Sequence, residues 1–211
     1  MQRLATLPAV EAEVWRQLEA AVTQRNHGWR VPVLATTDGR WADARTVVLR
    51  EADLANRRLV FYTDRRSPKL AQLTSHPDGT LVMWCSALGW QLRCKVRLAL
   101  QAPGPATMLR WARIEQSASA QDYLSPLPPG APLGAELAGP AELAEPAELA
   151  ESPAWPDSPA SPAPPTSQGM TKHQNFAVVN AAVVSLDWLE LHRDGHRRAL
   201  FDDQAPRWVQ P

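Results

Sequence analysis

Residues 44–73 constrain the fold of this chain more than any other stretch. They read Ala-Arg-Thr-Val-Val-Leu-Arg, a short polar turn, Leu-Val-Phe-Tyr-Thr-Asp, and then Arg-Arg-Ser-Pro-Lys-Leu-Ala-Gln-Leu. β-Branched Thr46, Val47 and Val48, bracketed by Arg45 and Arg50, predict one strand, and the run 59–63 predicts a second. Ser67 suits an N-cap, and Pro68 suits the first helical position, where its missing N–H would have no partner anyway. Leu70 and Leu73 give that helix an apolar stripe, and His76-Pro77 ends it because the residue before proline avoids the helical region. The free N–H groups of the first turn, the helix dipole and the Lys69 ammonium converge on one spot, within reach of Arg45. That convergence suits a phosphate. Its plain alternative is a solvated Arg/Lys surface on an ordinary strand–helix unit.

The flanking sequence predicts more strands. Residues 8–24 carry Val10, Val14, Trp15, Leu18, Ala21 and Val22 on one helical face. Residues 31–37 and 41–50 are two β-rich runs joined by Asp38-Gly39, a strong hairpin signal. Pro77-Asp78-Gly79 predicts a turn into a strand over 80–85. Residues 90–100 alternate Leu92, Cys94, Val96 and Leu98 against Arg93, Lys95 and Arg97, so one face is buried and the other wet. A helix over 105–116 is expected to present Met108, Trp111, Ala112 and Glu115 on one side. Residues 176–191 resume as a strand, and 196–201 with Trp208-Val209 form a last hairpin. Such strands with short turns predict a small closed barrel without a long exposed edge.

Between Pro126 and Thr171 the character changes. This segment holds 12 of the 20 prolines and a near-repeat of Ala-Glu-Leu-Ala-Gly-Pro, Ala-Glu-Leu-Ala-Glu-Pro and Ala-Glu-Leu-Ala-Glu-Ser. Frequent proline prevents a continuous helix and leaves too little apolar surface to offset ordering, so 126–171 reads as a disordered acidic insertion. The folded unit is expected to be 1–125 with 172–211. The insertion carries six acidic residues and no Lys or Arg; removing them from 22 basic and 22 acidic residues leaves 22 against 16, a body of about +6. That surplus suits a small anionic ligand and is too scattered for nucleic acid. No run approaches the roughly 20 apolar residues of a membrane span. Cys85 and Cys94 form no CxxC pair and are expected to pack as small hydrophobes, which, with no signal-like N-terminal run, implies a cytoplasmic setting. The five histidines have no metal-site context.

Arg-Thr-Val-Val-Leu, Phe-Tyr-Thr-Asp, Ser-Pro-Lys and Trp90-Gln91-Leu92, in this order, resemble the pyridoxamine 5'-phosphate oxidase-like family of FMN-binding split barrels, in an oxidase-related branch of unassigned substrate. The likeness covers about residues 10–125 and 172–211. It implies a mainly β, α+β fold: a six-stranded antiparallel split β-barrel of Greek-key type with flanking helices. It also implies an FMN-dependent oxidoreductase working as a homodimer with flavin at the interface. Carried over, the family's flavin contacts fall on Arg45, Thr46, Val47, Val48, Tyr62, Thr63, Ser67, Lys69 and Gln91. Pro68 stands where oxidases often have an arginine. The substrate candidates are Arg113, Arg197 and Arg198, with Ser117 and Tyr123 beside the first. The family's flavin-adjacent tryptophan falls on a leucine, its Arg-x-His pair is absent, and Leu200 precedes Phe201, which puts pyridoxine-type substrates in doubt. The flavin carries the chemistry, so no catalytic side chain is named. The alternatives are a flavin-binding or flavin-storing protein without turnover, and a split barrel using another cofactor such as haem.

Overall fold

The computed structural model describes residues 3–132 and 173–211. The Pro-rich repeat, and with it nearly all of the 126–171 insertion, lies outside the described residues.

An N-terminal helix α1 (Leu7–Thr23) starts at Thr6, whose Oγ1 accepts from the Ala9 N–H at 3.4 Å. It buries Val10, Val14, Trp15, Leu18 and Ala21, the predicted stripe. Nine strands follow: β1 (Val33–Thr37), β2 (Ala42–Thr46), β3 (Leu49–Asp53), β4 (Arg58–Asp64), β5 (Asp78–Cys85), β6 (Trp90–Leu100), β7 (Phe176–Glu190), β8 (Arg197–Phe201) and β9 (Arg207–Val209). Helix α2 (Lys69–Ser75) separates β4 from β5, and α3 (Pro105–Ile114) and α4 (Gln121–Leu124) follow β6. All pairings are antiparallel, in the order β2-β1-β5-β6-β7-β4-β3, with β8 and β9 branching from β7.

The expected closed barrel is therefore split. The two ends of the order are β2 and β3, which do not pair with each other. The single strand predicted over 41–50 breaks at Val47-Val48, where the chain leaves β1 for β4. The crossing is held by Val47 N to Pro32 O and Leu49 N to Arg30 O, both 2.9 Å. The count rises from six to nine because this strand is read as two and because the terminal hairpin adds β8 and β9.

Two apolar clusters explain the layering. The barrel interior joins α1 to the inward residues of the strands, among them Leu34, Leu59, Phe61, Leu81, Leu92, Cys94, Leu98 and Leu186. A second cluster lies on the outer face of β4 and β7, where Val60, Phe176 and Val178 meet Trp111, Ile114, Ala120 and Tyr123. Coverage on both sides makes Phe176–Val179 a continuously buried run.

Several local expectations are corrected. β5 already begins at Asp78, because Gly79 pairs with Val96 rather than turning. α3 ends at Ile114 and buries Thr107, Trp111 and Ile114, whereas Met108 is exposed. The helix sits about one residue off the predicted phase because Thr107 turns inward, accepting from Gln101 at 3.2 Å and donating to Ala102 O at 3.1 Å. Cys85 and Cys94 are free and buried, and burial pushes the Cys94 thiol pKa up. Among the described residues no helix is long and apolar enough to cross a membrane.

Candidate functional site: a cationic corner beneath helix α2

Strand alternation decides which predicted residues meet. On β4, Leu59, Phe61 and Thr63 face the barrel interior, so Thr63 ends an otherwise apolar inner row. Lys69, the first residue of α2, reaches it: Nζ donates to Thr63 Oγ1 at 2.8 Å and to Ser67 Oγ at 2.7 Å. Thr63 and Ser67 are both buried. Ser67 thus serves the lysine, and no side chain caps α2; the Ser67 carbonyl accepts from Leu70 N at 3.0 Å. The expected N-cap is corrected, because the ammonium is a stronger partner for the hydroxyl than a backbone N–H.

Arg45 comes to the same corner from β2. Its guanidinium donates to Thr36 Oγ1 on β1 and to Gln72 Oε1 on α2, the latter at 2.9 Å, and pairs with Asp43. Gln72 closes the ring by donating to Asp43 Oδ2 at 3.0 Å and accepting from Thr36 Oγ1 at 2.7 Å. Asp64, buried next to Thr63, is already paired with Arg66 at 2.7 Å. Two cations therefore approach each other, opposed by Asp43 and, from its pair with Arg66, by Asp64. The Lys69 pKa is lowered, first by burial and then by the Arg45 charge. A half-buried ammonium held only by hydroxyls beside a guanidinium is under-compensated, and an anion with several acceptor oxygens fits it.

The remaining predicted residues are dispersed. Val47 lies in the barrel core, so only its backbone can serve a ligand; Val48 is half-buried and Thr46 exposed. Gln91 points to the outer face of β6, in register with Trp84 and Leu189, and through Leu189 with Arg198. Thr46 shares that outer face through Val33, Val82 and Arg93. Tyr62 turns the other way on β4 from Thr63 and packs on Phe176 at 4.9 Å between ring centroids. The substrate candidates are engaged elsewhere. Arg197 bonds Glu190 and the Leu4 carbonyl at 2.9 and 2.6 Å. Arg198 holds Asp187 with two bonds of 2.8 Å. Arg113 is exposed at the end of α3, Ser117 donates to the Ile114 carbonyl at 2.6 Å, and burial pushes Tyr123 up to about 12.

Asp43, Thr36 and Gln72 were missed. Asp43 stands two residues before Arg45 on the same strand face, and Gln72 three after Lys69 on the same helix face, so spacing could have found both. Thr36 needed the β1–β2 register. Arg50 was missed for another reason. A register shift between Leu49 and Glu51 leaves it unpaired in the ladder and places its guanidinium 5.5 Å over the Tyr62 ring, with Nε buried and unpartnered. Among the described residues no group of three or more His, Cys, Asp or Glu side chains could hold a metal ion.

Comparison with known proteins places this geometry. Residues 12–101 match the family model described as the FMN-binding domain of pyridoxamine 5'-phosphate oxidase. Those residues are similar to that domain over a little under half of the chain. The match runs from within α1 to just past the end of β6 and includes the whole cationic corner. No curated protein matches the sequence. Among solved structures, a pyridoxamine 5'-phosphate oxidase-related, FMN binding protein from Nostoc punctiforme aligns with TM-score 0.61 and 22% identity over 100% of both chains. PhzG from Burkholderia lata, solved with tetrahydrophenazine-1-carboxylic acid, aligns with TM-score 0.60 and 16% identity over 97% of this chain and 92% of its own. Campylobacter jejuni ChuZ aligns with TM-score 0.51 and 10% identity over 99% of this chain and 64% of its own. At these identities the likeness establishes the oxidase-family split barrel as the fold.

Proposed function

We propose that this chain is an FMN-binding flavoprotein and, in the reading best supported, an FMN-dependent oxidoreductase. The observation that carries it is the Arg45–Lys69 corner inside the segment that matches an FMN-binding domain. Lys69, Arg45, Ser67 and Thr63 would hold the phosphate. The 47–48 backbone, Thr46 and Gln91 would lie along the remainder of the cofactor, with Tyr62 behind. FMN, when bound, supplies hydride acceptance and return of electrons to an acceptor. The protein's residues fix charge and position.

The face carrying Thr46 and Gln91 also carries exposed Val31, Val33 and Trp84. A second copy of the chain fits there, which supports a homodimer with the flavin ring on the shared face. Trp84→Glu should shift the protein to monomer on a sizing column.

The ion pairs that occupy Arg197 and Arg198 favour one second reading, a flavin binder without turnover. Two measurements decide. Titration of cofactor-free protein with FMN, followed by flavin fluorescence, tests binding; no saturable quenching removes both readings. Anaerobic reduction of the loaded protein by a nicotinamide or pyridoxamine phosphate, then reoxidation in air, supports the oxidoreductase. A loaded protein that stays oxidised leaves the binder.

A further inference from the structure

Arg45 has two kinds of partner, and only one kind is needed to aim it. Its guanidinium is oriented by neutral acceptors from two other elements, Thr36 Oγ1 on β1 and Gln72 Oε1 on α2. The terminal nitrogen that reaches Gln72 also reaches Asp43 Oδ2, so one donor group is shared between an amide and a carboxylate. Asp43 therefore adds charge where direction is already fixed. The Gln72 hydrogen bond and the Arg45 charge hold its carboxyl below the ordinary pKa, so it is ionised near neutral pH.

Three features make that carboxylate easy to displace. It stands two residues before Arg45 on β2, which ends the strand order and, in the described sheet, pairs with β1 alone. Its side chain is 49% exposed, against 20% for the guanidinium, so it can turn into solvent without stranding a buried group. Its bond from Gln72 Nε2, at 3.0 Å, is itself exposed. An ion pair this open contributes little on its own. Asp64 differs on each count: its side chain is 4% exposed, and Arg66 grips both of its oxygens, at 3.1 and 2.7 Å.

Charge identifies the replacement. With Asp64 neutralised by Arg66, the corner holds two cations, Arg45 and Lys69, against Asp43. With Asp43 turned away, both cations are uncompensated, and the Lys69 ammonium is already fixed by the Thr63 and Ser67 hydroxyls. A phosphate monoester carries a charge of about −1.5 to −2 near neutral pH and three acceptor oxygens, which matches that second arrangement. A carboxylate and a phosphate on one guanidinium would repel each other.

We propose that the Asp43 carboxylate is a built-in stand-in for the ligand phosphate: it holds Arg45 in cofactor-free protein, yields the guanidinium to a phosphate monoester, and so keeps the ligand exchangeable. This deepens the reading of that corner as the FMN phosphate site and rests on it.

The test compares the parent protein, Asp43→Asn, Arg45→Ala and the double variant. Each is titrated, full-length and cofactor-free, with FMN and separately with inorganic phosphate, the latter followed by thermal unfolding. Asparagine keeps an acceptor for Gln72 and removes the charge. Asp43→Asn should bind FMN about two- to fivefold more tightly, the scale of one partly screened charge interaction. Its melting temperature without ligand should be lower, an opposite sign that a purely structural aspartate would not give. In the Arg45→Ala background the gain should disappear, because the two residues act as one unit. A gain that persists undiminished there makes Asp43 a repelling charge only, and weaker binding makes it a positioning residue for Arg45; either result overturns the stand-in. So does unchanged FMN affinity in Asp43→Asn. A protein that takes up no FMN, yet is stabilised by inorganic phosphate and more so as Asp43→Asn, overturns the flavin reading and keeps the stand-in. Response to neither ligand overturns both.

Discussion

Replacing Lys69 by methionine separates binding from folding, because the two effects carry opposite signs. In the free protein the ammonium is half-buried, its hydrogen bonds go only to Thr63 and Ser67, and its charge opposes that of Arg45. Burial and the neighbouring cation both disfavour the charged form, so a neutral side chain of similar length relieves strain. The melting temperature of cofactor-free K69M should stay level or rise, with a change of about 1 kcal/mol or less, the scale of a single partly screened charge interaction. A bound phosphate reverses the balance. A hydrogen bond to a charged group contributes about 1.5–3 kcal/mol, so FMN affinity should fall roughly ten- to a hundredfold. Adding Arg45→Ala removes a second charged contact and should take the loss beyond about a hundredfold if the two add. Flavin fluorescence titration gives the affinity, and thermal unfolding in phosphate-free buffer gives the stability. A K69M protein that melts well below the parent yet binds FMN within about threefold of it would refute the reasoning.

Helix α3 is pinned to the sheet by Arg110, which holds Glu51 through bonds of 2.6 and 2.7 Å. Glu51→Gln should cost about 1–2 kcal/mol near neutral pH. The Arg110 hydrogen bond lowers the Glu51 pKa below 4.5, so this contribution is present above that value and should vanish in urea unfolding as the pH falls through the folded-state pKa. His27 accepts from Trp29 N at 3.1 Å and meets Gln17 Oε1 at 2.8 Å, an arrangement that needs the neutral ring. Burial lowers its pKa from 6.5, so stability should be full above that pH and decline below it as the unfolded chain takes up the proton first. His27→Gln should flatten that part of the pH profile. Gly28→Ala should destabilise by about 1–3 kcal/mol, because a Cβ there would stand 2.7 Å from the Trp84 carbonyl oxygen and 2.8 Å from the Cys85 Cα, neither of which can swing away.

Much of the fold is legible in the one-dimensional pattern. The alternation over 90–100 gives β6 its limits and its buried face. The apolar period over 8–24 gives α1 its stripe, and Asp38-Gly39 gives the first hairpin; each is a local preference that packing reinforces. The candidate site was legible in part for the same reason: Lys69 and Ser67 are neighbours in sequence, and Thr63 ends an inward-facing strand row. What local preference cannot carry is register and crossing. Val47-Val48 looks like the middle of a strand, yet the chain changes partners there, since only a bend lets one strand serve both β1 and β4. The register shift that re-aims Arg50 is equally invisible, because an unpaired residue leaves no mark in the hydrophobic pattern.

The residues themselves thus determined the strand–helix handover, the sign of the charge at the corner and the type of ligand that charge suits. Only the tertiary structure decided that Arg45 is tied to Thr36, Gln72 and Asp43 at that corner while Tyr62 and Gln91 turn to other faces, and that Arg197 and Arg198 are taken up by Glu190 and Asp187. Which face a side chain joins depends on strand pairings that span up to more than a hundred residues, and no local propensity encodes them.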